Sequence, residues 1–242
     1  MQWTIDEAIG LPIILLVMLI ISIILRKLLC NKSDKIRSYP LKIVALLIIL
    51  LEVAKQIENI VVDFSTWAIP LHYCSLFVFF IPLAQFGNEK IKKIFKPVAI
   101  SCALTMALGF YTAPALIIGD NALIDLLDSF GEFHTVIFHH LAILYAFLSI
   151  ALTDYTPKKN DCKYVLIVMV SYFMIAIPFS YILDTNFCNI LETVIPIVKP
   201  IQAFIGQPLY LVSLTVVVAG GTALMCYLYY LVYNKITKKE SN

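Results

Sequence analysis

Seven long apolar segments are the feature that most limits what this chain can fold into. Each has the length of about 20 residues that an α-helix needs to cross a bilayer. They cover residues 9–29, 41–62, 67–86, 96–118, 131–153, 163–183 and 208–234. Of the 242 residues, 61% are hydrophobic and 14% charged, whereas about a quarter of a soluble domain is charged. The sequence therefore predicts an all-α integral membrane protein, with one seven-helix domain covering residues 1–242.

Basic residues alternate between the loops and predict which side of the membrane each loop faces. Lys and Arg concentrate in cytoplasmic loops. Here they cluster after the first, third, fifth and seventh segments: Arg26, Lys27, Lys32, Lys35, Arg37, Lys42, Lys90, Lys92, Lys93, Lys96, Lys158, Lys159, Lys163, Lys235, Lys238 and Lys239. The other side has one basic residue, Lys199, beside Asp6, Glu7, Asp63, Asp120, Asp125, Asp128 and Asp184. This predicts a multi-pass protein of the cell membrane with its N-terminus outside and its C-terminus in the cytoplasm.

Two of the predicted outer segments are longer than simple turns. Residues 120–130 are amphipathic, which is typical of a segment lying in the membrane interface. Residues 185–207 are largely apolar and include two prolines and a glycine. We expect an interfacial or re-entrant segment there, where protein or water must satisfy the backbone. The six cysteines have no paired spacing, so we predict no disulfide framework.

Four polar side chains lie on one face of the second predicted helix. Glu52, Lys55, Gln56 and Asn59 recur at spacings of three and four residues, which places them on the same side. Polar groups at membrane depth are costly and by default suggest function. A self-neutralising Glu–Lys pair that holds helices together is an equally good interpretation. The stripe is predicted to face the interior of the bundle or a water-filled cavity.

The four histidines lie in two of the segments. His72 is in the third, two residues before Cys74, and the fifth contains His134, His139 and His140. On a regular helix, Cys74 and His72 should point to nearly opposite sides unless Pro70 distorts the turn, and at most one of His139 and His140 should face the core. At a rise of about 1.5 Å per residue, Cys74 should lie roughly 10 Å, and His140 and Glu52 roughly 15 Å, from the outer helix ends.

A thiol, an imidazole and a carboxylate at similar depths are a set suited to acyl transfer. The thiolate is the nucleophile, and it forms when a nearby imidazole takes the thiol proton. A third group can hold the imidazole in the right orientation. The thioester that results then passes its acyl group to an alcohol or to water.

Several runs resemble those of one family of bacterial membrane proteins. Residues 70–76 read PLHYCSL, followed by IPL at 81–83, and residues 138–144 read FHHLAIL. Asn186-Phe187 stands in the long outer segment, and residues 208–214 read PLYLVSL. Together with the length, the seven segments and the loop lengths, these runs resemble the YwaF family, which is related to the transmembrane protein 164 acyltransferases.

The resemblance implies a lipid acyltransferase or a thioester-forming lipase. The cysteine proposed as nucleophile in the animal relatives corresponds to Cys74, and the family histidine aligns best with His140, with His139 beside it as a second candidate base. Glu52 or Gln56 would orient the imidazole, and Asn186 or Ser75 would help to hold the oxyanion. The residues predicted to bind substrate or support the pair are His72, Ser75, Glu52, Gln56, Asn59 and Asn186. Membrane phospholipids or lysophospholipids would be the substrates, with no cofactor and no nucleic-acid partner.

Two other kinds of function remain open from the sequence. In a transporter or solute-binding protein, the polar face of the second helix would line a path and His140 would relay protons. In a sensor or receptor, His72, His134, His139 and Cys74 would be the candidate ligands of an intramembrane metal. Four ligands on two helices with these angular offsets converge poorly on a tetrahedral zinc ion, so we predict no metal site.

Overall fold

A computed structural model of the chain describes residues 4–62, 64–113, 117 and 123–240, the last three by their backbone alone. Over these residues the secondary structure consists of helices joined by turns and bends. The α-helices are α1 (Ile5–Leu29), α2 (Asp34–Arg37), α3 (Tyr39–Val61), α4 (Phe77–Phe86), α5 (Glu89–Thr112), α6 (Phe130–Ala151), α7 (Asp161–Ile182) and α8 (Lys199–Glu240).

Capping side chains fix where three of these helices begin. At α1, Thr4 Oγ1 accepts a hydrogen bond from the Glu7 N–H at 3.2 Å, and the Glu7 carboxylate accepts one from the Thr4 N–H at 3.0 Å. Asn88 caps α5, and Ser129 accepts from the Glu132 N–H at the start of α6. Such caps satisfy N–H groups that have no partner inside the helix.

Contacts divide the described chain into two compact units, and the first consists of Met1–Ile57 and Phe77–Thr156. Its central element is α6, which packs against α1, α4 and α5. Large side chains from these helices are fully buried, among them Phe77, Phe110 and Tyr145. As a result, α6 is covered by protein on more than one side.

The second unit consists of Glu58–Leu76 and Pro157–Asn242. Helix α7 packs against α8 and against a 3-10 turn, Phe187–Asn189. Helix α8 is interrupted at Gly206, where φ is 73°, a conformation open to glycine at little cost. One domain covering residues 1–242 stays a prediction.

Within the described part of the chain, five helices are long and apolar enough to cross a membrane: α1, α5, α6, α7 and α8. Their outward faces carry large apolar side chains, including Leu16, Ile175 and Val216, which are more than half exposed in the isolated chain. Apolar surface on this scale requires lipid as the surrounding solvent. The predicted helical, multi-pass membrane architecture is therefore confirmed, whereas the number of seven spans and the orientation stay predictions.

Helix α3, the second predicted span, forms as a helix but differs in composition from these five. It is 23 residues long, which suffices to cross the hydrocarbon core. However, it carries Lys42, Glu52, Lys55 and Glu58, so its length alone does not establish a span.

The third predicted span, residues 67–86, is not a regular helix. The 3-10 turn Thr66–Ala68 is followed by residues 69–73, which are not helical, and helical structure resumes with the 3-10 turn Cys74–Leu76 and α4. Pro70 explains the difference, because a proline disfavours helical backbone in the preceding residue. Ile69 accordingly has φ −59° and ψ 131°. The alternative in which Pro70 distorts the turn is therefore the one that holds, whereas the prediction that Cys74 lies at a depth given by a regular helical rise is wrong.

The outer segments are described in part. Asp63, residues 120–122 and residue 118 at the end of the fourth predicted span lie outside the described residues. The rest of the 120–130 stretch contains the 3-10 turn Asp125–Leu127, with Ile124 and Leu127 exposed. Residues 185–198 contain the turn Phe187–Asn189 and expose Ile197. An interfacial position for either segment stays a prediction.

Candidate functional site

Two adjacent histidines of α6 each contact the backbone carbonyl of the residue four positions earlier. His139 Nδ1 lies 2.5 Å from the Thr135 carbonyl oxygen, and His140 Nδ1 lies 2.7 Å from the Val136 carbonyl oxygen. A carbonyl can only accept, so Nδ1 must carry the proton in both neutral rings. Nε2 is then the basic nitrogen of each ring. Neither Nε2 has a hydrogen-bond partner among the described residues, so both are available to accept a proton.

Both imidazoles are buried, with His139 4% and His140 7% exposed. The prediction that at most one of them faces the core is therefore wrong. The reason is the central position of α6, which has packed neighbours on more than one side. Phe110 of α5 contacts both rings, with centroids 5.9 Å from His139 and 4.8 Å from His140.

Glu52 is the centre of a second polar group in the same unit. Its Oε1 accepts hydrogen bonds from Lys55 Nζ at 2.8 Å and from Gln56 Nε2 at 2.7 Å. Its Oε2 lies 3.6 Å from His134 Nε2, which is longer than a hydrogen bond. We expected Glu52 or Gln56 to orient the base, but the group that holds the His140 ring is the Val136 carbonyl.

The polar stripe of α3 faces inward, as predicted. Glu52 is buried and Lys55 and Gln56 are half-buried, whereas Val53, Ile57 and Ile60 on the other side of the helix are exposed. Apolar side chains thus face outward and charged ones inward, the reverse of a helix in water. This distribution suits a helix in contact with lipid.

The second unit contains the irregular turn that carries His72 and Cys74. The His72 ring packs against Trp67 at a centroid distance of 4.1 Å and against the edge of Phe187 at 5.1 Å. Cys74 is half-buried and Ser75 is buried. Because residues 69–73 are not helical, the angular argument that separated His72 from Cys74 no longer applies.

Cys188 lies against this turn and interacts with it directly. Its Sγ accepts a hydrogen bond from the Tyr73 N–H at 2.8 Å. The Tyr172 hydroxyl lies 2.7 Å from the same sulfur and 2.6 Å from the Leu71 carbonyl oxygen. Burial raises the pKa of the Cys188 thiol to about 12, and the neighbouring Cys74 adds to the rise. Cys188 is therefore a neutral thiol near pH 7, unsuited to act as a nucleophile.

The two predicted asparagines lie in the second unit, and both hold backbone in place. Asn59 Oδ1 accepts from the Ser65 N–H at 2.8 Å. Asn186 Oδ1 accepts from the Leu191 N–H at 2.9 Å, and its Nδ2 donates to the Glu192 carbonyl at 2.6 Å. Asn186 thus closes its own loop, and its role at an oxyanion stays a prediction.

A model of the TMEM164 family matches residues 3–229 of the chain. The chain belongs to the TMEM164 family. The relation to the transmembrane protein 164 group that the sequence motifs suggested is thereby confirmed. Comparisons with curated proteins and with solved structures give no match.

The TMEM164 match includes every predicted site residue, and these residues fall into two groups. Glu52, Gln56, His139 and His140 belong to the first compact unit, and His72, Cys74, Ser75, Asn59 and Asn186 belong to the second. The pairing of Cys74 with His140 stays a prediction. Over the part of the chain that the structure describes, no three His, Cys, Asp or Glu side chains converge as ligands of a metal ion.

Sequence reasoning missed two residues of this TMEM164-family chain. Tyr172 and Cys188 contact the turn that bears Cys74 from more than 100 positions away along the chain, and no local pattern marks such contacts. His134, which the sequence suggested only as a candidate metal ligand, lies 3.6 Å from the Glu52 carboxylate. A signal for Cys188 was available, since it directly follows the Asn186-Phe187 pair that carries part of the family resemblance.

Proposed function

We propose that this member of the TMEM164 family is a membrane-embedded acyltransferase that carries its acyl group as a thioester on Cys74. The donor would be a glycerophospholipid and the acceptor a lysophospholipid, both reaching the protein from the membrane. Family membership and the motif containing Cys74 support the nucleophile. The seven predicted spans, with the N-terminus outside, are part of this proposal and place Cys74 toward the outer leaflet.

The observation that carries the proposal is the orientation of His140. Its Nδ1–H is held by the Val136 carbonyl, so the ring presents a basic Nε2 from a buried position. A general base needs this tautomer and a fixed ring, both of which usually come from a hydrogen bond at the other nitrogen. His139 has the same tautomer, and we choose His140 over it because the run around it resembles the family motif.

The proposed reaction has two acyl-transfer steps. In the first, His140 Nε2 takes the proton of Cys74, and the thiolate attacks the ester carbonyl carbon of the donor. The C–S bond forms, the C–O bond breaks, and the departing alkoxide of the lysophospholipid takes the proton back from the imidazolium. In the second, the hydroxyl of an acceptor gives its proton to His140 and attacks the thioester, and the C–S bond breaks. The departing thiolate then recovers the proton from the imidazolium.

Mass spectrometry of the purified protein in phospholipid nanodiscs tests the thioester directly. We expect a fatty-acyl adduct on Cys74 that hydroxylamine removes, together with transfer of a labelled acyl chain between lipids. Cys74→Ser should abolish both. Cys162→Ser is the matched control, because Cys162 is also half-buried and lies in the same unit. Wild-type rates of transfer in Cys74→Ser would refute the proposal.

A carrier is the second candidate, and the environment of Glu52 favours it. Its buried Oε2 has no hydrogen-bond partner among the described residues, so it is able to accept a proton or bind a solute. Uptake into proteoliposomes separates the two functions. A carrier should lose transport on Glu52→Gln and keep it on Cys74→Ser, whereas the acyltransferase should lose acyl transfer on Cys74→Ser.

A further inference from the structure

The turn that carries Cys74 has backbone groups that no helix satisfies. Residues 69–73 lie between a 3-10 turn and the helical region that begins at Cys74. The Leu71 carbonyl and the Tyr73 N–H lie on either side of His72. Polar backbone groups inside a protein need partners, and here both partners come from distant parts of the second unit: Tyr172 for the carbonyl and Cys188 for the N–H.

The Tyr172 hydroxyl and the Tyr73 N–H are the donors that join this turn to its partners. The hydroxyl donates to the Leu71 oxygen at 2.6 Å and to the Cys188 sulfur at 2.7 Å, so the two acceptors share its proton. The Tyr73 N–H donates to the same sulfur at 2.8 Å, which completes a chain across the turn. Burial raises the pKa of Cys188, so its sulfur accepts these hydrogen bonds as a neutral thiol.

The backbone of Cys188 is itself held in an uncommon conformation. Its φ is 50° and its ψ 33°, in the left-handed region, which is rare for a residue other than glycine, asparagine or aspartate. Its neighbours are anchored on both sides. The Phe187 ring packs against His72, and the Asn189 carbonyl accepts a hydrogen bond from the Tyr210 hydroxyl at 2.7 Å. A strained residue kept in place by its surroundings is a common feature of functional sites.

We propose that Tyr172 and Cys188 are positioning residues that fix the turn around His72 and so align the Cys74 sulfur for acyl transfer. This inference rests on the proposed function for its catalytic consequence. Both side chains act on the turn through the backbone of Leu71 and Tyr73. Losing either one removes a hydrogen bond that holds the part-buried backbone of this turn, and the turn becomes mobile.

The test compares Tyr172→Phe, which removes only the hydroxyl, with Tyr164→Phe on the same helix. Acyl transfer and alkylation by N-ethylmaleimide are measured on the full-length protein in nanodiscs. For Tyr172→Phe we expect kcat to fall about tenfold to a hundredfold with KM unchanged, the size expected for a misplaced nucleophile. Alkylation of Cys74 should become faster, while Cys226 in the core of the same unit stays protected, which excludes unfolding.

Two substitutions at Cys188 test whether a conservative replacement preserves acyl transfer and the protection of Cys74. Cys188→Ala should reproduce the Tyr172→Phe result, whereas Cys188→Ser keeps a donor and an acceptor and should stay close to wild type. Equal alkylation of Cys74 in Tyr172→Phe and Tyr164→Phe would overturn the positioning role. If the wild-type protein transfers no acyl group, the proposed function fails, and faster alkylation of Cys74 in Tyr172→Phe would still establish that the pair holds the turn.

Discussion

At the scale of single residues, hydrogen bonding determines which groups are suited to chemistry. Cys188 is half-buried, has a raised pKa and acts as a hydrogen-bonding thiol. His139 and His140 are held by backbone carbonyls one turn earlier in the helix. Because each carbonyl fixes the tautomer of its histidine, the reactive nitrogen of each ring is known. A substitution that keeps a donor at the position of Nδ1 but has no nitrogen at Nε2 therefore removes the base and keeps the hydrogen bond to the backbone carbonyl.

The prediction at this scale concerns His140→Asn. The shorter amide can still donate to the Val136 carbonyl but has no nitrogen at the position of Nε2. We expect kcat for acyl transfer to fall about 10²- to 10⁴-fold, the usual contribution of a general base. His139→Asn is the matched control and should have the smaller effect. Equal losses in the two variants, measured by transfer of labelled acyl chains, would contradict the assignment of His140 as the base.

At the scale of the elements, the inward face of α3 depends on a buried ion pair. Lys55 and Glu52 are 2.8 Å apart, with side chains 17% and 6% exposed. Removing one partner leaves the other charge buried and unpaired, which typically costs about 3–5 kcal/mol, whereas replacing both costs far less. Whatever its function, the stripe therefore has a structural role that mutagenesis must take into account.

This leads to a prediction for the pair. Glu52→Gln and Lys55→Met should each lower the free energy of unfolding by up to about 3–5 kcal/mol, and the double variant should recover much of the loss. Unfolding in detergent micelles with increasing denaturant measures this. Single variants as stable as the wild type would show that the charges do not depend on one another.

The break in α8 supplies a second prediction at this scale. Gly206 has φ 73° with open space where a Cβ would lie, so Gly206→Ala meets backbone strain and no clash. We expect a loss of about 1–2 kcal/mol in unfolding free energy. Gly221 in the same helix also has open space but no positive φ, and Gly221→Ala should stabilise the helix by about 0.5–1 kcal/mol. A Gly206→Ala variant more stable than the wild-type protein would show that alanine is not strained at this backbone conformation.

At the scale of the whole molecule, the number of spans decides which side of the membrane each loop faces. Helix α3 is long enough to span but carries charges, and the helical stretch Cys74–Phe86 is short. With seven spans, the loop between α3 and the helical stretch Cys74–Phe86 lies outside the cell. If only the five more apolar helices cross, the same loop lies in the cytoplasm with Cys30.

Labelling of single cysteines distinguishes the two topologies. In a background without Cys30 and Cys162, Phe64→Cys introduces an exposed thiol in this loop, and Lys90→Cys introduces one in the next loop, which is cytoplasmic in both cases. With seven spans, a membrane-impermeant maleimide added to intact cells should label position 64 and leave position 90 unlabelled. Labelling of position 64 only after the membrane is opened would favour five spans.

The sequence by itself determined the elements that depend on lipid contact, because length, apolarity and the spacing of polar groups are local properties. The five apolar helices and the inward direction of the α3 stripe follow from them. Only the tertiary structure decided that both His139 and His140 are buried, since this depends on the neighbours of α6. It also decided that residues 69–73 are stabilised by Tyr172 and Cys188. Tyr172 and Cys188 reach this turn because distant segments pack together. Such long-range contacts leave no pattern in the sequence of the turn itself.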